Sequence, residues 1–395
     1  MESTEIKNGH QIKTTPCWML YQQLVDEVFG QNKIKIKKAK NNNVIGTLKY
    51  IDEFLDFQTN FKSRLIRLKS KYESCADYAK LLEAVKQVAD PNNWEGAYAE
   101  IVAYDIMHND TIFSDVKLDV TLNANESYAG DLGGAATNED IYIGDYDLYF
   151  DIKCFADTTK NILNELIDEV VTKAGQKGNC HILPEYPLDD SEEQYQTNRA
   201  NLYKELLDFL NKEKCCTRKK SFTSKIVKQL SYRILWGSGT TSAIGESNPY
   251  VFAENTRHIM LKRYMKKFMK SKSFLIVLVN FPWYNNRLST FGNFDEIYYR
   301  ALARRTFCGY RYSAEKTSEI NPKYKGCESP YEISTHLSGI IIIDDHSIET
   351  DSYSCHIYLN PNASNKIISG RHYLQNIVQH ADEHSILDDF TGDNY

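Results

Sequence analysis

The chain has 395 residues, 42% of them hydrophobic and 25% charged, with a formal net charge of −6. That is the composition of a globular protein with two or three domains or one large decorated domain, and the net acidity excludes a generic nucleic-acid coating protein. The longest apolar runs, "FLIVLVNF" and "GIIII", are strand-sized, and nine cysteines at irregular spacings without C-x-x-C point away from a disulfide framework or a zinc ribbon.

The opening "MESTEIKNGHQIK" lacks a basic and apolar leader, so a soluble, cytoplasmic protein in a reducing compartment is expected, with no membrane partner. Residues 1–90 read as a mostly helical region, with apolar residues at helical spacing in "LIRLKSKY" and "DYAKLLEAVKQVAD" and Pro91 at its end. "NNWEGAYAEIVAYDIMHND" predicts a helix with Asn93 as its cap and Trp94, Ala97, Tyr98, Ile101 and Val102 as its apolar stripe. "IFSDVKLDVTL" predicts a strand, "ESYAGDLGGAATN" a loop, "EDIYI" a short strand, "GDYD" a turn and "LYFDIKCF" the return strand. A helix over "TTKNILNELIDEVVTKAG" and a strand at "CHIL" come next. Residues 185–256 read as a polar insertion. A basic helix over 255–271 then leads into the buried strand "FLIVLVNF", and 286–395 adds a helix "DEIYYRALARRTF" and two strands as an α/β extension. The expected fold is α/β. Its core, residues 91–285, runs helix, three strands, helix, strand, in a mixed sheet flanked by helices.

Chemistry concentrates in "IYIGDYDLYFDIKCF". Successive side chains of a strand alternate between faces. Asp145, Asp147, Tyr149, Asp151 and Lys153 therefore share one face, opposite Tyr146, Leu148, Phe150, Ile152 and Cys154. Asp140, on the preceding strand, can converge on Asp151 across the ladder. Close carboxylates repel unless something positive lies between them, and a hard cation such as Mg²⁺ or Mn²⁺ takes oxygen ligands from one or two carboxylates. Lys153, two residues after Asp151, points the same way and can position a water or neutralise charge on a phosphoryl oxygen. Asp147 shares the parity of Asp151 and stands as the alternative to Asp140.

"EDIYIGDYDLYFDIKCF" resembles the signature of the PD-(D/E)xK, or restriction-endonuclease-like, nuclease superfamily. Asp140 takes the place of the first acid, preceded by Glu139 where a proline is usual, and Asp151-Ile152-Lys153 matches acid-x-lysine. "WEGAYAEIVAYDI" resembles the helix glutamate of the family, with Glu100 the better match and Glu95 the reserve. The resemblance spans roughly residues 92–184. It implies a restriction-endonuclease-like core and a divalent-metal-dependent endodeoxyribonuclease acting on double-stranded DNA, with a homodimer as one assembly. A type II restriction enzyme is the natural candidate. The alternatives are a phage-defence or repair nuclease working with partner proteins, or a non-catalytic nucleic-acid-binding protein on the same fold. Asp140, Asp151 and Glu100 would hold the metal, and with Lys153 they form the expected catalytic set.

Three basic runs interrupt the acidic background: "KIKIKKAK", "KCCTRKKSFTSKIVK" and "RHIMLKRYMKKFMKSK". In the last, Met260, Tyr264 and Phe268, with Met265 and Met269 beside them, are expected to face the core. Lys262, Arg263, Lys266, Lys267 and Lys270 are expected on the outer face as phosphate contacts. "WGSGTTSAIG" lacks the ending of a phosphate loop and also lacks G-x-S-x-G. "DDH" at Asp344–His346 follows a buried strand and offers metal-binding side chains, but most simply begins a turn.

Overall fold

A computed structural model of the protein describes residues 4–7, 9–39, 41–107, 115–155, 158–176, 179–186, 192–212, 219–237, 248–281 and 294–391. The chain forms two compact units: the first comprises Met1–Phe155 and Met260–Tyr395, the second Ala156–Ile259.

The first unit opens with a hairpin, β1 (Thr4–Lys7) and β2 (His10–Lys13), where the composition had suggested helix. Helices α1 (Cys17–Phe29), α2 (Asn43–Thr47), α3 (Leu55–Tyr72), α4 (Tyr78–Gln87) and α5 (Trp94–Met107) come after it. The turn before α5 is tied by Asp90, whose carboxylate accepts the N–H of Asn92 at 2.8 Å and of Asn93 at 3.2 Å, and Asn93, the expected cap, accepts the Ala97 N–H through its carbonyl at 3.1 Å. Helix α5 is buried on nearly every side because α3 and α4 cover one flank and the sheet covers the other. Trp94, Ala97, Tyr98, Ile101 and Val102 are all in the core, as their spacing predicts.

The strands are β3 (Val116–Asn123), β4 (Ala136–Ile143) and β5 (Leu148–Cys154) before the second unit, and β9 (Ser273–Asn280), β10 (Gly339–Asp345), β11 (Tyr353–Leu359) and β12 (Glu383–Leu387) after it. Together they make one mixed seven-stranded sheet in the order β3-β4-β5-β9-β10-β11-β12. The pairs β3–β4, β4–β5 and β10–β11 are antiparallel, whereas β5–β9, β9–β10 and β11–β12 are parallel. The strands of the expected C-terminal extension, β10 to β12, therefore continue the same sheet rather than forming a separate layer. Residues 112–114 of the predicted first strand lie outside the described residues.

The second unit holds α6 (Thr158–Lys173), β6 (Cys180–Glu185), α7 (Glu192–Thr197), α8 (Arg199–Lys212), β7 (Lys219–Thr223), β8 (Ser231–Trp236) and α9 (Pro249–Thr256). Its three strands pair antiparallel in the order β6-β8-β7. Its core joins Leu163, Leu166 and Val170 of α6 to Leu202 and Leu206 of α8 and to Ile234 of β8. This corrects the expected core. "CHIL" belongs to this smaller sheet, and the strand beside β5 is β9, reached after a crossover that contains the whole second unit. The physical reason is patterning. Strand β6 buries alternate residues, which suits a sheet covered on one face, whereas "FLIVLV" is buried throughout, which suits a central parallel strand covered on both. The inserted body is accordingly 156–259 rather than 185–256.

The basic stretch 255–271 is not one helix. Helix α9 ends at Thr256, a π-helical turn spans Met260–Tyr264, and a 3₁₀ turn spans Met265–Lys267. Met260, Tyr264, Met265, Phe268 and Met269 are nonetheless buried, as their spacing predicts. Among the described residues, no helix is long and apolar enough to cross a membrane.

Candidate active site

Strands β4 and β5 pair in the register Ile141↔Phe150, Tyr142↔Tyr149 and Ile143↔Leu148. The next positions along that diagonal are Asp140 and Asp151, where the ladder gives way to side-chain chemistry. A carboxylate oxygen of Asp140 accepts the Ile152 N–H at 2.5 Å. Lys153 lies between the two acids, its Nζ 2.8 Å from Asp151 Oδ2 and 3.8 Å from Asp140 Oδ2, and donates to the Ile152 carbonyl at 2.9 Å. Asp151 is fully buried and Lys153 is 27% exposed, so the site has a wet side and a dry one.

A second ammonium reaches the dry side. Lys267 Nζ is 2.9 Å from Asp151 Oδ1 and donates to the Asn138 carbonyl. It is placed there by its own segment. The 3₁₀ turn changes the winding and carries Lys267 off the outer face. The glycine-rich β3–β4 loop then grips the backbone just beyond Lys267, with Tyr128 N–H donating to Phe268 O at 3.2 Å and Lys270 N–H to Glu126 O at 3.0 Å. Both Asp151 oxygens have an ammonium at ion-pair distance, yet neither receives a hydrogen bond of good geometry.

The remaining carboxylates are less well served. Glu139 is fully buried with no donor on either oxygen. Burial pushes its carboxyl up to about 9, with Asp151 and Asp140 adding to the effect against the opposing fields of Lys267 and Lys153. Burial, then Asp151, raises Asp140 to about 6 against Lys153, Lys267 and the Ile152 N–H. Glu100, on α5, is raised to about 8 by burial and then by Asp140, with Lys153 opposing and Asp119 and Asp151 adding. Burial works to lower Lys153, but Asp151 and Asp140 outweigh it and hold the ammonium above its usual range.

Asp140, Asp151, Lys153 and Glu100 thus come together where the pairing of β4 with β5 ends. Glu95 lies where its charge is felt at the Cys154 thiol. Asp147 does not join the four. It is left-handed (φ 52°), at the end of a 3₁₀ turn over Gly144–Tyr146, and pairs with Lys272. The strand begins only at Leu148, so the acid face expected over Asp145–Lys153 reduces to Asp151 with Asp140 across from it. Of the five basic residues expected outside, Lys262 and Lys266 are exposed and Arg263 is half-buried. Lys270 pairs with Asp131 at 2.6 Å and lies over the Tyr128 ring, and Lys267 is buried in the acid site. The "KCCTRKK" cysteines and most of "WGSGTTSAIG" lie outside the described residues.

Three further residues belong to this site. Glu139 shares the parity of Ile141 and Ile143, and a carboxylate on an apolar strand face was a readable signal. Lys267 carried none, because a change of winding brings it inward. Asp119 sits between the pairs Leu118↔Ile141 and Val120↔Glu139, and so faces Asp140 across the sheet. It is exposed and left-handed (φ 49°), a strained setting for a non-glycine residue in a strand.

Among the described residues, no three His, Cys, Asp or Glu side chains stand as a ready-made metal-ligand cluster. Mg²⁺, however, is held by one or two carboxylates and keeps several waters. Buried carboxylate oxygens that lack donors, on Asp151 and Glu139, are the hard oxygens such an ion uses. Asp345, of the "DDH" run, is instead tied to Arg64 at 2.8 Å and is structural. Comparisons with family models, curated proteins and solved structures returned no match to this chain.

Proposed function

We propose that this protein is a divalent-metal-dependent nuclease that hydrolyses phosphodiester bonds of double-stranded DNA, in a restriction or defence setting. The observation that carries this reading is the placement of Lys153 Nζ between Asp140 and Asp151, at the end of an antiparallel strand pair, beside carboxylates that burial leaves without donors.

Asp140 and Asp151 would hold Mg²⁺ or Mn²⁺, with Glu100 beside them. A cation there supplies Lewis acidity for a phosphoryl oxygen and lowers the pKa of a water. Lys153 orients the attacking water and neutralises charge that builds on the phosphoryl oxygen in the transition state. Glu100, whose carboxyl sits near 8, is suited to hold a proton at neutral pH and hand it on. The exposed Lys262 and Lys266, with Arg263, supply phosphate contacts that a net charge of −6 does not.

Incubation of the protein with plasmid DNA tests the proposal. Cleavage is expected with Mg²⁺ or Mn²⁺ and none in EDTA. Full activity in EDTA would overturn the metal mechanism. DNA retention without cleavage under either ion would make the protein a non-catalytic binder.

A further inference from the structure

We infer that Lys267 is a permanent, protein-borne cation of the site: it fills the Asp151 Oδ1 side and leaves room for one divalent ion only, on the side shared by Asp151 Oδ2 and Asp140. This rests on the metal reading proposed for the site.

Asp151 has two oxygens, and the fold treats them differently. Oδ2 faces Lys153, which is 27% exposed and sits where solvent and substrate have access. Oδ1 faces Lys267, whose side chain is only 10% exposed. Against that ammonium stand the Asp151 carboxylate and the Asn138 carbonyl, and the buried Glu139 carboxyl, next in the chain to Asn138 and with no donor on either oxygen, lies within its field. Carboxylate, carbonyl and carboxyl oxygens around one positive charge form the ligand set of a hard divalent cation. A carboxylate shared by two cations is the usual frame for two-metal phosphodiester chemistry. Here an ammonium stands at each: Lys267 in the dry position, and Lys153, 2.8 Å from Oδ2, in the wet one, from which a side chain 27% exposed can swing aside for an ion.

The ammonium is fixed rather than borrowed. Its neighbours Met265, Phe268 and Met269 are fully buried and anchor the turn, and the β3–β4 loop holds the backbone beyond it. Withdrawing Lys267 would leave Asp151 Oδ1 and Glu139 with no positive charge beside them in a dry setting, which is strongly unfavourable.

Mn²⁺ stoichiometry tests this, measured by titration calorimetry and by the electron paramagnetic resonance signal of free Mn²⁺. Site-bound ions are counted as those lost in Asp151→Asn. Wild type should bind one. Lys267→Met, similar in length and uncharged, should bind two, and the second ion should disappear in Lys267→Met/Glu139→Gln. Lys267→Arg, which keeps the charge, should bind one. Two site-bound ions in the wild type, or one in a folded Lys267→Met, would overturn the inference while the metal reading stands. If Lys267→Met does not fold, the wild-type count decides. No Asp151-dependent ion in any of these proteins would overturn the metal reading, and this inference with it.

Discussion

Two buried ionic clusters lie in the same unit of this protein, and they have opposite characters. In the first, Arg64 of α3 meets Asp345 at the end of β10 with Nη2–Oδ1 at 2.8 Å. Tyr98 of α5 and Ser347 each donate to Asp345 Oδ2 at 2.7 Å. Beside it, Asp105 takes Arg67 at 2.7 Å and Lys71 at 3.1 Å. Only Arg64 Nε lacks a hydrogen-bond acceptor, at 3.6 Å from Asp105. In the second, around Asp151, four carboxyl groups (Asp140, Asp151, Glu139 and Glu100), with the exposed Asp119 beside them, share two ammonium groups, and both oxygens of Glu139 go without a donor.

The titration of the two clusters records the same contrast. Burial pushes Asp105 upward, but Arg67, Lys71 and Arg64 reverse it, and its carboxyl lies below the usual range. Glu139, Glu100 and Asp140 are comparably enclosed and end at about 9, 8 and 6. Burial alone does not separate them; the supply of donors does. A satisfied buried network locks elements together, whereas an under-satisfied one is costly and is kept where chemistry needs it.

The largest expected effects come from breaking each cluster in turn. Arg64→Met leaves Asp345 buried without its partner and should cost about 3–5 kcal/mol of stability. Asp151→Asn removes the partner of Lys153 and Lys267 but also relieves the repulsion on Asp140, Glu139 and Glu100, so it should cost less stability than Arg64→Met, while lowering cleavage about a thousandfold or more, about 4 kcal/mol of barrier. Thermal melts and plasmid cleavage on the two variants check this. Equal destabilisation by both substitutions would erase the distinction between the clusters.

A smaller effect concerns pH, in metal-free protein. Asp105 has a depressed folded pKa, so its contribution is present above its unfolded value of 3.8 and is lost as pH falls through the folded value. Glu139 is raised from 4.5 to about 9, so the unfolded chain releases that proton first. Its penalty is absent below pH 4.5 and grows as pH rises toward 9, under the fields of Lys267, Asp151, Asp140 and Lys153. Glu139→Gln should therefore gain stability relative to wild type as pH rises, by about 1–3 kcal/mol between pH 5 and pH 8. Melting curves in EDTA across that range are the measurement, and a pH-independent difference would refute the assignment.

The smallest effect separates the basic residues. Lys262→Ala and Lys266→Ala should each reduce the salt slope of DNA binding, measured in Ca²⁺ to suppress cleavage, by about one unit. Lys267 is committed to Asp151 and should not behave as a simple phosphate contact. An unchanged slope in the Lys262→Ala/Lys266→Ala protein would assign that surface to solubility alone.

Much of this was legible in the residues themselves. Period-two alternation located β4 and β5, and antiparallel pairing across a short turn brought Asp140 toward Asp151. Residues five apart on a helix do not share a face, so the sequence allowed only one of Glu95 and Glu100 near them, and the resemblance rather than the spacing favoured Glu100. Local pattern determined these features because they depend on neighbours a few residues away. The rest depended on partners far along the chain. The strand beside β5 lies more than a hundred residues on, beyond a body with its own core, and only its unbroken apolar run distinguished it from the nearer "CHIL". Whether a buried acid is satisfied also depends on the whole fold. Asp345 found Arg64 from the N-terminal helices, whereas Glu139 found no donor. Lys267 read as one more exposed lysine, and a change of helical winding with a loop clamped on its far side turned it inward onto Asp151. Side-chain period is a property of the local backbone, but the balance of charge in a dry site is set by every element that packs around it.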